Sequence, residues 1–263
     1  MLKSGLVSIT FRDLSVEEII ELTVKANLDA IEWGGDIHVP HGNIDKAKKV
    51  KQMTRKANLS IAAYGSYYKA GCKNEEISSF EEILQTAKAL GAPIIRVWAG
   101  NKGTKNATDQ DWKDVINDTK RITKMAANEG IKIAYEYHQN TLTDTPESTK
   151  KLISKVNHSN LYTYWQPPHH LNSKECEKDL IEILPWLTNV HVFYWTHDPE
   201  RVKHPLVDAR KDWTNYLSLL KKKKINNSVK DHYAMLEFIK NDSIDQFYKD
   251  ANILNNIIDK LEK

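Results

Sequence analysis

The chain has 263 residues, and its 38 Lys and Arg against 35 Asp and Glu leave a formal charge of only +3, which excludes a strongly basic surface for nucleic acid. The two cysteines, Cys72 and Cys176, are far apart, and no apolar run approaches the roughly 18 residues of a membrane span. We therefore expect a cytoplasmic protein without a membrane partner, made of one large α/β domain or two small ones.

Short apolar segments that predict strands alternate with amphipathic segments that predict helices. In chain order these are strand 6–11 and helix 15–26, strand 30–33 and helix 44–57, strand 60–64 and helix 79–90, strand 93–98 and helix 111–129, strand 131–135 and helix 146–156, strand 161–165 and helix 175–184, strand 190–194, a polar loop 196–210 and helix 213–222, and strand 233–237 and helix 243–263. Ser15 and Glu18 form a capping box at the start of the first helix.

Four predicted helices end in the same way. Asn27, Asn58, Gly91 and Gly130 tolerate the left-handed backbone that closes a helix, and a strand follows each within a few residues. This regularity indicates a repeated βα unit. Eight such units predict a (β/α)8 TIM barrel, with residues 1–263 as a single domain. A doubly wound open sheet is the alternative, but no Gly-rich phosphate loop follows the first strand.

In such a barrel the chemistry lies at the carboxyl ends of the strands. Glu136, His191 and Glu237 each stand where an apolar strand ends, and a carboxylate there is poorly solvated unless a cation lies beside it. Carboxylates and imidazole suit Mn²⁺, Co²⁺, Mg²⁺ or Zn²⁺. Gln166 follows the sixth strand, and its amide oxygen is a candidate fourth ligand, although it could instead only hydrogen-bond a neighbouring ligand.

Aromatic and basic residues at other strand ends are candidates for contacts with a substrate. Trp33, Trp98 and Trp165 could offer flat apolar walls to a sugar ring, or could simply plug the barrel mouth. His138 and His197 lie in loops at the same rim, and Arg96 is a candidate for an anionic group of the substrate.

The order of Glu136, then Gln166-x-x-His169, then His191, then Glu237 resembles the xylose isomerase-like barrels known as sugar phosphate isomerases/epimerases. Relatives of that family include ketose 3-epimerases, hydroxypyruvate isomerase and inositol-catabolism proteins. The resemblance spans essentially the whole chain. It implies one divalent metal ion held by Glu136, Gln166, His191 and Glu237, and a substrate-facing His169. The chain departs from the family where Gln166 replaces an aspartate and His197 replaces an arginine.

The resemblance implies an isomerase or epimerase that acts on a sugar or sugar phosphate through an enediolate. Glu136 and Glu237 would be the acid/base pair, one removing a proton and the other returning it. A dehydratase on an inosose-like or keto-sugar substrate is the nearest alternative, since the same enediolate can lose a β-hydroxyl. A non-catalytic sugar-binding barrel and a phosphodiesterase similar to abasic-site endonucleases are further alternatives. The expected partner is a small carbohydrate rather than nucleic acid, and the oligomeric state stays open, a homo-oligomer included.

Overall fold

A computed structural model describes residues 1–72, 79–197, 200–222 and 230–262, and in it eight parallel strands close into a barrel. The barrel strands are Leu2–Val7 (β1), Ala30–Gly34 (β2), Ser60–Lys69 (β3), Ile94–Trp98 (β4), Lys132–Tyr135 (β5), Leu161–Trp165 (β6), Leu187–Val192 (β7) and His232–Leu236 (β10), and a separate antiparallel hairpin follows β7 as Trp195–His197 (β8) and Arg201–Lys203 (β9). β1 closes the ring against β10, with Leu2 opposite His232 and Leu6 opposite Leu236. The predicted (β/α)8 barrel is confirmed.

Eight α-helices in the described ranges surround the barrel. They are Val16–Lys25 (α1), Ile44–Lys56 (α2), Phe80–Leu90 (α3), Asp109–Asn128 (α4), Pro146–Val156 (α5), Ser173–Ile183 (α6), Arg210–Lys222 (α7) and Ile244–Glu262 (α8), and short 3-10 helices cover Ser8–Phe11, Leu184–Trp186, Leu206–Ala209 and Lys240–Asp242. The predicted helix ends are confirmed, because all four residues have a positive φ: Asn27 53°, Asn58 58°, Gly91 76° and Gly130 68°. The capping box of Ser15 and Glu18 is also present.

Alternation along each strand produces two apolar layers. Side chains such as Ala30, Ile94, Ala134 and Tyr164 form a small cluster inside the barrel, whereas their neighbours join the larger core between strands and helices. Because successive strand residues point to opposite faces, the residue two positions after each of these also points inward. This parity decides which strand-end residues reach the barrel mouth.

The predicted first strand, 6–11, is wrong in its position. The strand is Leu2–Val7, and a 3-10 helix follows at Ser8–Phe11. Ser4 and Gly5 are weak strand formers, but β1 is paired on both sides, with β2 and with β10, and this tertiary pairing overrides local propensity. The seventh strand is likewise Leu187–Val192 rather than 190–194.

Candidate functional site

Six buried polar side chains meet at the carboxyl end of the barrel, each contributed by a different strand or by the residue that follows it. They are Glu32 of β2, Arg96 of β4, Glu136 after β5, Gln166 after β6, His191 of β7 and Glu237 after β10. Each occupies an inward-facing position by the strand parity described above. A cluster of three carboxylates in a dry interior requires compensating positive charge or hydrogen-bond donors.

Arg96 supplies part of that compensation. Its Nε donates to Oε1 of Glu32 over 2.7 Å, and its Nη1 contacts Oε2 of Glu136. The guanidinium also lies 5.2 Å from the centre of the Tyr67 ring, a cation–π contact. Burial disfavours the charge, but the carboxylates of Glu136 and Glu32 raise the pKa of Arg96 well above its ordinary value. Arg96 is therefore a permanent cation inside the site.

Glu136 is held at both of its oxygens. Oε2 accepts the indole N–H of Trp98 at 2.6 Å in addition to the Arg96 contact, and Oε1 accepts from Nε2 of Gln166 at 3.4 Å. Burial alone would raise the pKa of Glu136, but the charge of Arg96 lowers it below the usual range. Glu136 is thus kept ionised in a fixed orientation.

His191 lies between the remaining acids. Its Nδ1 is 3.3 Å from Oε1 of Gln166 and 3.2 Å from Oε2 of Glu237, while its Nε2 faces Oε2 of Glu32 at 3.7 Å. Burial lowers the pKa of His191, but Glu237 and Glu32 outweigh burial and raise it to about 10. Burial also opposes the charge of Glu32, yet Arg96 and His191 lower its pKa to about 2.

The side chains of Glu136, Gln166, His191 and Glu237 are the candidate donors for a divalent cation. Ligands that share one ion at about 2.1 Å lie about 3.0–3.4 Å apart, at right or tetrahedral angles. Nδ1 of His191 lies 3.3 Å from Oε1 of Gln166 and 3.2 Å from Oε2 of Glu237, whereas Oε1 of Glu136 faces the amide nitrogen of Gln166 at 3.4 Å. In addition, Oε2 of Glu237 is buried and has no hydrogen-bond partner. The donor atoms of Gln166, His191 and Glu237 therefore have the spacing that a shared ion requires.

Gln166 decides whether this set closes around an ion. In the described ranges, no group of three or more His, Cys, Asp and Glu side chains is arranged to hold a metal ion. Gln166, an amide and so not one of these residue types, lies between Glu136 and His191. A divalent cation held here would therefore need the amide oxygen of Gln166 as a ligand.

A cavity of about 650 Å³ opens beside this cluster. Its wall includes Tyr67, Arg96, Trp98, Glu136 and Glu237, together with His138, whose ring stacks on Trp98 at 5.2 Å. A second cavity of about 590 Å³ shares His138 and is lined further by Gln166, His169 and Trp195. The two cavities offer space for a small polar molecule against both the acidic cluster and the histidines.

The other substrate-contact predictions have mixed outcomes. Trp98, Arg96 and His138 line the first cavity and His169 the second, as expected for residues at the mouth. Trp33 and Trp165 do not, so the prediction for them is wrong. Both side chains are fully buried. Trp33 follows the inward-facing Glu32 and Trp165 precedes the inward-facing Gln166, so each tryptophan points away from the barrel interior, toward the helices. Trp165 packs there on Trp213 and Tyr216 of α7.

The backbone of His197 lies in β8, but its side chain is outside the described part of the chain, so its predicted role stays a prediction. Two residues of the site received no role in the sequence analysis. Glu32 stands at a strand end, and its inward parity would have identified it. Tyr67 gave no signal, because β3 continues to Lys69, past the predicted end at 64, and Tyr67 adopts a positive φ of 57° within it.

No helix in the described ranges has the length and apolar character that crossing a membrane requires.

Comparison with known proteins identifies related barrels. A family model described as a xylose isomerase-like TIM barrel matches residues 20–246. A 3-dehydroshikimate dehydratase of Bacillus anthracis is 23% identical over 276 residues, which cover 97% of this chain and 97% of the relative. An inosose dehydratase of Glaesserella parasuis serovar 5 is 24% identical over 147 residues, which cover 52% of this chain and 49% of the relative.

Solved structures show the same fold. The probable 3-DHS dehydratase AsbF of Bacillus anthracis has a TM-score of 0.80 at 20% identity, over 97% of this chain and 99% of the other. The IOLI protein, solved with a bound zinc atom, has a TM-score of 0.75 at 16% identity, over 98% and 99% of the two chains.

Proposed function

Since the chain belongs to the xylose isomerase-like TIM barrel family, we propose that it is an enzyme that removes water from a hydroxylated cyclic ketone. The observation that carries this choice is the alignment with a 3-dehydroshikimate dehydratase over 97% of both chains. Both 3-dehydroshikimate and inosose are six-membered cyclic ketones with a hydroxyl β to the carbonyl. The isomerase or epimerase reaction expected from the sequence has weaker support from the relatives than the dehydratase alternative, and it becomes the second candidate.

The reaction needs one base and one acid. The α-hydrogen leaves as a proton and the β-hydroxyl as hydroxide, a double bond forms between the α and β carbons, and the net loss is one water. A divalent ion held by Glu136, Gln166, His191 and Glu237 would stabilise the negative charge that develops on the carbonyl oxygen.

Glu237 is the carboxylate best placed to take the α-proton. Among the described residues its carboxylate is engaged through Oε2, which faces Nδ1 of His191, and this leaves Oε1 for a substrate; both oxygens of Glu136 accept hydrogen bonds, from Arg96, Trp98 and Gln166. A base with a free oxygen can reach a substrate hydrogen, and a clamped carboxylate contributes fixed negative charge instead. Glu136 therefore serves to bind and orient rather than to accept the first proton.

His138 is the proposed acid for the departing hydroxide. Its ring lines both cavities and is held parallel to Trp98, and its Nδ1 donates to the backbone carbonyl of Gln139 at 2.6 Å. Nε2 is then the nitrogen left for a substrate oxygen. A protonated imidazole there would give its proton to the leaving group and avoid the release of free hydroxide.

The test compares 3-dehydroshikimate, an inosose and an open-chain ketose, each with metal-free protein and with protein loaded with Mn²⁺, Co²⁺, Mg²⁺ or Zn²⁺. Dehydration creates a double bond conjugated with the carbonyl and hence new ultraviolet absorbance, whereas epimerisation creates none. We expect absorbance to rise with a cyclic ketone and the loaded protein, and Glu237→Gln to lose at least about 100-fold of this rate. An epimer formed from the ketose without absorbance change would support the second candidate. Binding of these compounds without turnover would support a non-catalytic barrel.

A further inference from the structure

Glu32 is the charged residue of the site for which the proposed reaction has no task. Its side chain is fully buried, it does not line the first cavity, and Glu136 and Glu237 already supply two carboxylates. A further ionised carboxylate in a dry interior is unfavourable before its contacts are counted. Neutralising Arg96 does not require Glu32, because Glu136 carries one balancing charge in direct contact.

The first contact of Glu32 restricts Arg96. A guanidinium beside a single carboxylate tends to donate two parallel hydrogen bonds and so occupies both oxygens. Here Glu32 takes the Nε–H through Oε1, and Glu136 receives Nη1 at Oε2. Oε1 of Glu136 therefore stays free of Arg96 and accepts a hydrogen bond from Gln166, one of the candidate ligands. Without Glu32, the Nε–H would lack its partner and the guanidinium would be free to turn toward both oxygens of Glu136.

The second contact of Glu32 faces His191. Oε2 of Glu32 and Nε2 of His191 lie 3.7 Å apart, within ion-pair distance, and neither atom has a hydrogen-bond partner. A carboxylate at that position favours a proton on Nε2. Nδ1 faces the oxygens of Gln166 and Glu237, so in the metal-free protein it carries a proton as well, and Nδ1 is the nitrogen that an ion between these side chains would use. An imidazole whose distal N–H faces a carboxylate is both fixed in its orientation and made a better ligand.

We propose that Glu32 is a positioning residue that orients both sides of the candidate metal site: one oxygen limits Arg96 to a single contact with Glu136, and the other directs Nδ1 of His191 toward Gln166 and Glu237. The expected effect of Glu32 on metal affinity rests on the proposed function, which includes a bound divalent ion. The effect of Glu32 on His191 can be observed in metal-free protein.

The test uses Glu32→Gln, because the new amide oxygen can still accept from Nε of Arg96 while the amide NH₂ is presented to Nε2 of His191 and opposes a proton there. Nitrogen NMR of metal-free, ¹⁵N-histidine-labelled protein reports whether Nε2 of His191 carries a proton, with the signal assigned by its loss in His191→Asn. We expect the variant to lose the Nε2 proton that the wild type retains. Titration calorimetry with Mn²⁺ should show affinity weakened by about 10- to 100-fold.

Asp250→Asn is the matched control, since Asp250 is also a buried carboxylate, bonded to the backbone of Leu206 and to Gln246 far from the site. It should change neither the His191 signal nor the Mn²⁺ affinity. If Glu32→Gln does not fold, Glu32→Asp gives the same readout, because the shorter side chain keeps the charge but cannot reach Arg96 and His191 together.

The outcomes separate the two proposals. An unchanged His191 signal together with unchanged Mn²⁺ affinity in folded Glu32→Gln overturns the positioning role. If the wild-type protein binds no Mn²⁺ at all, the metal-dependent function fails, and the His191 signal alone then decides the role of Glu32.

Discussion

Trp98 donates its indole N–H to Oε2 of Glu136 over 2.6 Å, and the oxygen that it binds is the one that Arg96 also contacts. The pair fixes the orientation of Glu136 from the neighbouring strand. Because Trp98 also lines the cavity and carries the stacked ring of His138, it connects the acidic cluster to the substrate space.

Trp98→Phe keeps the aromatic ring but removes the N–H. A hydrogen bond to a charged acceptor contributes about 1.5–3 kcal/mol. We therefore expect kcat/KM for dehydration of the substrate to fall by about 10-fold or more while the fold is retained. Steady-state kinetics and thermal unfolding measure the two effects. Trp112→Phe on α4 is the control, since Trp112 packs under Lys151 outside the site. Equal kinetics for both variants would contradict the role assigned to Trp98.

Arg96→Met removes the buried cation between Glu32 and Glu136 and leaves two carboxylates without their main partner. Loss of one partner of a buried ion pair costs about 3–5 kcal/mol, so we expect a large loss in the free energy of unfolding measured with urea. Adding Glu32→Gln to Arg96→Met should restore part of it, since the two residues are coupled.

Arg121→Met provides the control for this experiment. Arg121 is 44% exposed and pairs with Glu81 and Asp118 at the surface, where an ion pair contributes about 1 kcal/mol or less. The account of Arg96 is wrong if its replacement destabilises the protein no more than the replacement of Arg121.

Gly65→Ala tests the fit of Arg96 from the backbone side. A Cβ at this position would lie 2.7 Å from Nη2 of Arg96 and 3.0 Å from Oε1 of Glu32. The guanidinium is held by two carboxylates and cannot yield without breaking a contact, so we expect a cost of about 1–3 kcal/mol and a loss of activity. Gly35→Ala is the comparison, because its Cβ would strike His41 and Tyr64 instead. Only the variant at Gly65 should lower the affinity for Mn²⁺.

Sequence patterns could identify part of this site and not the rest. Glu136, His191 and Glu237 were found because the carboxyl ends of parallel strands meet at one edge, whatever the details of packing. Gln166 was found by its place after the sixth strand. The closed barrel followed from the repeated helix ends, which depend on local backbone preference at Asn and Gly and are therefore visible in the sequence.

The wrong predictions concern features that depend on the orientation of a side chain or on pairing between strands that are distant in sequence. Trp33 and Trp165 stand at strand ends, but each is one position away from an inward-facing residue and so packs outward. The ion pairs of Arg96 depend on how β2, β4 and β5 are staggered across the ring, which no single segment encodes. Strand β1 was misplaced because its pairing with β2 and β10 outweighs the low strand propensity of Ser4 and Gly5.

His232, at the opposite end of the barrel, makes stability depend on pH. Burial lowers the pKa of His232, although Nδ1 is hydrogen-bonded to the carbonyl of Thr188. The unfolded chain therefore binds a proton near pH 6.5, whereas the folded protein binds it only at lower pH. The free energy of unfolding consequently decreases as the pH falls below about 6.5, by up to about 1.4 kcal/mol per pH unit. Urea unfolding between pH 7 and pH 5 should show a shallower decline for His232→Gln than for the wild type. Parallel declines would exclude this contribution.

The most direct test of the account is an anomalous difference map from crystals grown with Mn²⁺. We expect a single strong peak within about 2.0–2.4 Å of a carboxylate oxygen of Glu136, the amide oxygen of Gln166, Nδ1 of His191 and a carboxylate oxygen of Glu237. A map without a peak among these four side chains, with Arg96 still bound to Glu136, would contradict it.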